Sequence, residues 1–404
     1  MSERIIVVGS GIAGMCTAMA LAKQGLDVTV IERDDPPPQG DADQAFFEWP
    51  RRGATQFRHP HAFLGLMCNL LQDNYPDLLE DFYAAGARRV DFKEMLSPEL
   101  QPKYKPEPGD EKLWVLMCRR ATIETVLRRY VERFNNIRII NHVTIDGVIT
   151  ERENDHIVIK GLKVRRDCTD VMGEEITAEV VVDASGRTTR FPRWFKELGV
   201  EVREENDDAE IVYYTRHYKF RPGVEEPPRT GKDRPGGDLG YIKFGVFPGD
   251  NGHFALIVCL HKVETELREA IKDGDKFDAI CRSIPGLAPW LEEGKVDATT
   301  PSFGIGDIRA LWRHYVQAGR PLVTNFFAVG DAALRTNPLY GRGCSTSILH
   351  AHILAEILTA EQDPVARALA FDATTEERLR PIFETSLRED RNGIKRSLAA
   401  AQGK

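Results

Sequence analysis

Residues 4 to 32 read RIIVVGSGIAGMCTAMALAKQGLDVTVIE, and no other stretch restricts the fold as tightly. The run IIVV is short, wholly apolar and β-branched, which is the composition of a strand buried on both faces of a parallel sheet. It leads into Gly9, Gly11 and Gly14 at G-x-G-x-x-G spacing, then into the helix-like MCTAMALAKQG and the strand-like LDVTVIE, which ends at Glu32. Glycines at these places serve a tight turn, the close approach of a pyrophosphate to backbone, and close packing of helix on strand. The glycine spacing alone is weak evidence; strand, glycines, helix, strand and terminal acid in register point to a dinucleotide. The free N–H groups at the helix start, around Ile12 and Ala13, are placed for the pyrophosphate. Glu32 is placed to accept from a ribose hydroxyl, with Arg33 beside it, and its charge repels a 2'-phosphate. FAD and NAD therefore remain, and NADP is disfavoured.

At 404 residues the chain exceeds the usual size of one domain, so two structural units are expected. A net charge of -8 is mild, and the basic clusters LRRYVER and KVRRDC are balanced by EREND and EVREENDDAE, which argues against a nucleic-acid surface. Seven cysteines, at 16, 68, 118, 168, 259, 281 and 344, form no CxxC pair, so reduced thiols and a cytoplasmic setting are expected, with no metal centre. No run reaches about 18 uninterrupted apolar residues, and the chain enters a strand pattern at once, so neither a signal peptide nor stable membrane insertion is expected.

Further along, DDPPPQGDADQ reads as a polar loop and RRGATQFRHPHAF as a basic, glycine-containing stretch. LGLMCNLLQDNYPDLLEDFYAAG reads as helical with a break before Pro76, and CRRATIETVLRRYVERF as a helix with Ile123, Val126, Leu127 and Val131 on one face. Two or three short strands are expected in IRIINHVTIDGVITERENDHIVIKGLKV, a second apolar strand in EEITAEVVVDASG, and a third in NFFAVGDAA. EIVYYTRHYKFRP, DLGYIKFGVFPG and GHFALIVCLH read as strands of an antiparallel sheet whose aromatics are mostly core. The expected fold is α/β: a Rossmann-like dinucleotide domain formed by residues 1–200 and 296–370, with an excursion at about 45–112. A second domain on an antiparallel sheet would cover 201–295 and line the substrate cavity, and helices would fill 371–404. The polar loops at 34–48 and 222–238 read as solvated.

The stretch NPLYGRGCSTS, 337–347, places a proline, two glycines and four small polar residues directly before the apolar helix pattern ILHAHILAEIL. Together with the amino-terminal glycines and the Gly330-Asp331 pair, it resembles the FAD-dependent monooxygenases of the p-hydroxybenzoate hydroxylase fold, whose cofactor domain is of the glutathione reductase type. The wording QFRHPHAF, VVDASGRTTRFPRWFKELG and NPLYGRGCS is most similar to bacterial polyether epoxidases and related tailoring oxygenases of secondary metabolism. The resemblance implies that Gly9, Gly11, Gly14 and Glu32 hold the ADP half of FAD. It implies that Arg120, opening R-x-x-I-x-x-x-L, lies near the cofactor phosphates, with Arg119 as its register rival and Arg51 or Arg52 near the flavin or ribityl chain. Asp331 would accept from a ribityl hydroxyl. Pro338, Gly341, Gly343 and Cys344 would let backbone pass close to the isoalloxazine ring, with Leu339 and Tyr340 at the ring or cavity edge. The helix start beneath the pyrimidine side would favour the negative charge of reduced flavin. Arg342 departs from the neutral residue, commonly glutamine, that the family carries there.

The same resemblance implies that the reaction proceeds through a flavin C4a-hydroperoxide, which is the chemistry of the cofactor, so no triad or metal is needed. His59 and His61 in RHPH, with Tyr340, are the candidates for direct contact with substrate or flavin; His350 and His352 read as structural. The chain carries DASGRTTR, 183–190, where NAD(P)H-using members have a D-G motif, and Arg187 or Arg190 could fix that loop. A separate flavin reductase, or weak direct reduction by NAD(P)H, is the expected electron source. The expected activity is epoxidation or hydroxylation of an apolar or polyketide-like molecule with O2. The alternatives are a flavin-dependent reductase or dehydrogenase of an unsaturated lipid-like substrate, and a flavin-binding protein without turnover. A halogenase is disfavoured, since W-x-W-x-I-P is absent.

Overall fold

The computed structural model describes residues 3–153, 156–166, 173–229 and 233–403. The chain divides into two compact units: residues 1–55, 124–207 and 309–386 form the first, and 56–123, 208–308 and 387–404 the second. Each unit is therefore discontinuous.

In the first unit five strands make a parallel sheet in the order Phe326–Ala328, Val180–Asp183, Ile5–Val8, Val28–Ile31, Ile137–Ile140. Ile5–Val8 and Val180–Asp183 are buried at every position, which explains why alternation is missing from both sequences. The Ile12–Lys23 helix is buried along most of its length and packs against the helix Gly343–Ala360. Parallel strands require crossover connections, so all strand ends that follow β to α lie on one edge, and that edge collects the glycine turns. The segment after Ile137–Ile140 forms an antiparallel hairpin of two 11-residue strands, Val143–Glu153 and His156–Arg166, with register shifts at Ile145/Gly147 and Ile149/Thr150. Only the first of the strands expected there is short; the shifts are irregularities that mask the period of two.

The second unit is built on an antiparallel sheet in the order Gly236–Asp238, Ile242–Pro248, His253–His261, Ile211–Phe220, Val296–Ala298, with Phe303–Ile305 paired to Ile211–Phe220. Its aromatics form the core: Phe254 stacks with Tyr218 and Phe220, and Trp290 and Phe277 are fully buried beside them. A smaller sheet, Arg88–Val90, Val115–Cys118 and His61–Phe63, belongs to the same unit, as do the helices Gly65–Asn74 and Pro76–Ala84, which break at Pro76. The carboxyl-terminal stretch, expected as helices over 371–404, is one helix, Pro364–Ala401, carrying Pro381 inside it. Proline removes one backbone bond, and the buried Leu379 and Phe383 on either side of it anchor the helix through that gap.

Candidate functional site

The three glycines of the amino-terminal turn are needed for different reasons. Gly9 has φ +101°, and a Cβ there would sit 2.7 Å from the Ala184 carbonyl oxygen; a Cβ on Gly14 would sit 1.8 Å from the Gly9 oxygen. Both are demanded by the fold itself. Gly11 is ordinary extended backbone, φ -74° and ψ -175°, and a Cβ there meets nothing within 4 Å. The chain gains nothing from glycine at 11 unless something outside the protein approaches, which is the place the pyrophosphate takes in this type of turn. The Ile12–Lys23 helix has no side-chain cap and no acid in its first turn, so its first N–H groups are left for an anion. Ile12 is buried and Ala13 half-buried within that turn.

Glu32, ending the second strand, is buried and heavily solvated by protein. Its Oε2 accepts from the Ser10 N–H at 2.8 Å and Ser10 Oγ at 2.6 Å, and its Oε1 from the N–H groups of Arg33 at 2.8 Å and Asp34 at 3.0 Å. Arg51 closes the cluster, 3.0 Å from Glu32, 3.0 Å from Asp34 and 2.7 Å from Glu124, with all four side chains buried. Burial opposes ionisation of Glu32, but the charge of Arg51 and the donors of Asp34 and Ser10 outweigh it and bring the carboxyl down to about 2. Arg33 is half exposed and lies 3.5 Å from Asp34, and Arg52 is exposed. Between the two neighbouring arginines, it is Arg51 that enters the cluster. The Ser10, Asp34 and Glu124 contributions were not legible in the sequence; only the spacing of Glu32 from the glycines marked the place.

The carboxyl-terminal glycine segments belong to the same unit. Gly330 has φ +57°, and a Cβ there would lie 2.6 Å from the Ala13 Cβ and 3.0 Å from Ser347 Oγ, so the Gly330-Asp331 turn and the first glycine turn are packed together. Asp331 is half-buried in the 3-10 turn Gly330–Ala332, and the Gly330 N–H points to Nδ1 of the buried His350 at 3.3 Å. His350 was expected to be structural, and this contact supplies a specific part: it holds the Gly330 turn. Position 350 lies two helical turns from Gly343, on the same face, which is the signal that marks it.

Asn337 accepts from the Leu339 N–H at 3.0 Å, Pro338–Tyr340 form a 3-10 turn, and Gly341 at φ +65° lets the chain enter the Gly343–Ala360 helix. Pro338 is exposed, and Leu339, Tyr340, Gly341, Arg342, Gly343 and Cys344 are half-buried. A Cβ on Gly343, like one on Gly11, meets nothing within 4 Å. Ser345 Oγ, in the first turn of this helix, is buried without a hydrogen-bond partner among the described residues. Arg342 does not fold back over the helix start: its Nη1 donates to Ser386 Oγ at 2.7 Å, and its guanidinium lies 5.3 Å from the centre of the Tyr340 ring.

At the end of the second apolar strand Asp183 accepts from the Ser185 N–H and from the hydroxyls of Ser185 and Thr189. Those contacts fix the DASGRTTR loop; Arg190 is exposed and Arg187 half-buried. Of the cysteines, 16, 68, 118, 259 and 281 are buried, Cys344 is half-buried, and Cys168 lies outside the described residues.

The second unit holds the remaining candidates. Arg119 is locked on Asp250: its N–H donates to Oδ2 at 2.9 Å and its Nε to Oδ1 at 2.9 Å, while Thr122 Oγ1 adds a bond to Oδ2 at 2.6 Å. Burial opposes the charge on Asp250, and Arg119 outweighs it, so the carboxyl stays below its usual range. Arg120, next in sequence, instead meets His61, whose Nε2 lies 3.1 Å from its Nη1. Strand register explains this meeting, since His61 pairs directly with Cys118. His61 Nδ1 lies 2.9 Å from the His59 carbonyl, and His59 Nδ1 lies 2.9 Å from Thr215 Oγ1. Loss of water lowers both imidazoles, His59 to about 4 and His61 to about 3, the latter helped by the charge of Arg120, so both are neutral at physiological pH. Among the described residues no group of three or more His, Cys, Asp or Glu side chains could hold a metal ion.

Residues 4–46 match the family model described as FAD dependent oxidoreductase. The chain is 26% identical over 386 residues to Protein Rv3254 of Mycobacterium tuberculosis, a match covering 91% of this chain and 75% of that one. Its fold is similar to that of pqsL, a probable FAD-dependent monooxygenase from Pseudomonas aeruginosa, with TM-score 0.65 and 17% identity over 100% of both chains. It is similar as well to the flavin-dependent brominase Bmp2, with TM-score 0.65 and 18% identity over 92% of this chain and 83% of that one. The open Cβ positions at Gly11 and Gly343, the uncapped helix starts, the buried Glu32 and the orphaned Ser345 hydroxyl fit an extended dinucleotide. The chain carries an FAD-dependent oxidoreductase domain match at residues 4–46, and its fold is the p-hydroxybenzoate hydroxylase-like one found in flavin-dependent monooxygenases and halogenases.

Proposed function

We propose that the chain is a monooxygenase that transfers one oxygen atom of O2 to an apolar or polyketide-like small molecule, by epoxidation or hydroxylation. Reduced FAD supplies the two electrons and the activation of O2; one oxygen atom enters the substrate and the other leaves as water. The observation that carries the reading is the 337–343 segment, where a left-handed Gly341 and an open Gly343 lead into an uncapped helix start. In the resemblance this is the segment beneath the flavin ring, and an uncapped helix start there favours the anionic reduced ring.

The other residues take supporting parts. Gly11 and the N–H groups after it receive the pyrophosphate, Glu32 the ribose and Asp331 the ribityl chain. His59, His61 and Tyr340 are the candidates for the substrate side. The relation to polyether epoxidases, a cytoplasmic setting and supply of electrons by a separate reductase or by NAD(P)H are parts of the same proposal. Among the described residues no helix is long and apolar enough to cross a membrane.

The test is a turnover with 18O2 and a panel of apolar alkenes, using FAD reduced by an added flavin reductase and NADH. Product carrying one 18O atom is expected. Substrate that is reduced or desaturated without 18O would instead establish the reductase or dehydrogenase reading, and bound flavin that turns over no substrate would favour a binding role.

A further inference from the structure

The ionised Glu32 only accepts hydrogen bonds, and a carboxylate offers about four acceptor places. Four bonds already end on it: the N–H and the hydroxyl of Ser10 on Oε2, and the N–H groups of Arg33 and Asp34 on Oε1. Arg51 Nη1 lies a further 3.0 Å from Oε2. Three of the four donors are backbone groups fixed by the fold, so Glu32 has no lone pair to offer a ribose hydroxyl. Ser10 is in the opposite position. Its hydroxyl proton is committed to Glu32 at 2.6 Å, so toward anything else its oxygen only accepts. Of the two acceptor places on that oxygen, Arg51 Nη2 approaches one, at 3.4 Å, and the other is left. Ser10 directly precedes Gly11, where a Cβ would meet nothing within 4 Å, so there is room for a ligand one residue away. Residual exposure does not separate the two side chains, at 7% for Ser10 and 5% for Glu32; acceptor capacity does. All of these residues belong to the first unit.

We infer that the Ser10 hydroxyl oxygen, rather than a carboxylate oxygen of Glu32, accepts the hydrogen bond from a hydroxyl of the adenosine ribose of FAD. Glu32 is then a positioning residue: it acts on the ribose by holding the Ser10 proton, which turns a Ser10 lone pair toward the ligand. The inference rests on the reading of this turn as the FAD site, and the test separates the two.

FAD, its 2'-deoxyadenosine and 3'-deoxyadenosine analogues, and FMN, which lacks the adenosine altogether, are titrated into the full apo-chain by flavin fluorescence. In the wild type one of the two deoxy analogues is expected to bind about five- to tenfold more weakly than FAD. In Ser10→Ala, FAD itself weakens by about that factor, the same analogue binds within about twofold of FAD, and FMN stays within about twofold of its wild-type affinity. Ser10→Cys keeps the size of the side chain and replaces the oxygen by a weak acceptor; it is expected to repeat the pattern, and it serves where alanine does not fold. If neither deoxy analogue is weaker than FAD in the wild type, the role of Ser10 is overturned. It is overturned as well if loss of the ribose hydroxyl costs as much in the variants as in the wild type, which returns the contact to Glu32. Equal weakening of FAD and FMN in the variants also overturns it, since FMN has no adenosine ribose. A folded wild-type chain that binds no FAD ends the FAD reading itself, and the inference with it.

Discussion

The two units handle buried cations differently. In the first, the buried Arg51 is surrounded by Glu32, Asp34 and Glu124, and Arg33 lies 3.5 Å from Asp34. In the second, Arg119 pairs with the carboxylate of Asp250, and Arg120 meets the imidazole of His61. An acidic cluster at the end of the second strand suits a site that accepts from ribose hydroxyls and repels a 2'-phosphate. The contrast teaches that the partner of a buried arginine, more than the arginine itself, tells what the residue is for.

The sharpest way to break this contrast is Arg51→Ala, which takes the buried guanidinium away from Glu32, Asp34 and Glu124. Loss of about 3–5 kcal/mol of stability is expected in chemical denaturation. The sign of the acid response follows from the same cluster. Glu32 titrates below its ordinary 4.5, at about 2 in the folded chain, so its contribution is full above 4.5 and is lost as pH falls through 4.5 toward 2. A shift of that size is worth about 3 kcal/mol in the wild type, and its pH dependence shrinks in Arg51→Ala. An unchanged denaturation midpoint in the variant would mean that the cluster does not form as described.

Asp250→Asn weakens the other neutralised pair while keeping a hydrogen-bonding amide, and a loss of about 2–3 kcal/mol is expected, with riboflavin binding unchanged. A loss of flavin affinity alongside the loss of stability would show that Arg119 serves the cofactor as well as the fold.

Gly11→Ala and Gly14→Ala sharpen the comparison within the first unit. Gly14→Ala should prevent folding, because its methyl would meet the Gly9 carbonyl oxygen at 1.8 Å. Gly11→Ala should melt within a few degrees of wild type yet bind FAD at least about tenfold more weakly, a difference of about 1.4 kcal/mol. Equal FAD affinity in Gly11→Ala would remove the reason for glycine there. The smallest expected effect belongs to Arg342→Gln, which loses the bond to Ser386 and costs about 1 kcal/mol, read as a shift in the denaturation midpoint.

Much of this was legible in the sequence where local rules act alone. The all-apolar strands at Ile5–Val8 and Val180–Asp183, the break before Pro76 and the aromatic strands of the second sheet follow from composition over a few residues. The partners of Arg119 and Arg120 did not, because both sit at the start of one helix pattern while Asp250 and His61 are far away in the chain. The same holds for Arg51 against Arg52, decided by Asp34 and Glu124. The 11-residue hairpin was hidden by its register shifts, and the uninterrupted Pro364–Ala401 helix by a proline that tertiary packing tolerates.

The most direct test of the account is the number of FAD molecules bound per folded chain, measured by fluorescence titration of the apo-protein. The account predicts saturation at one FAD per chain. A folded chain that takes up no FAD would contradict it.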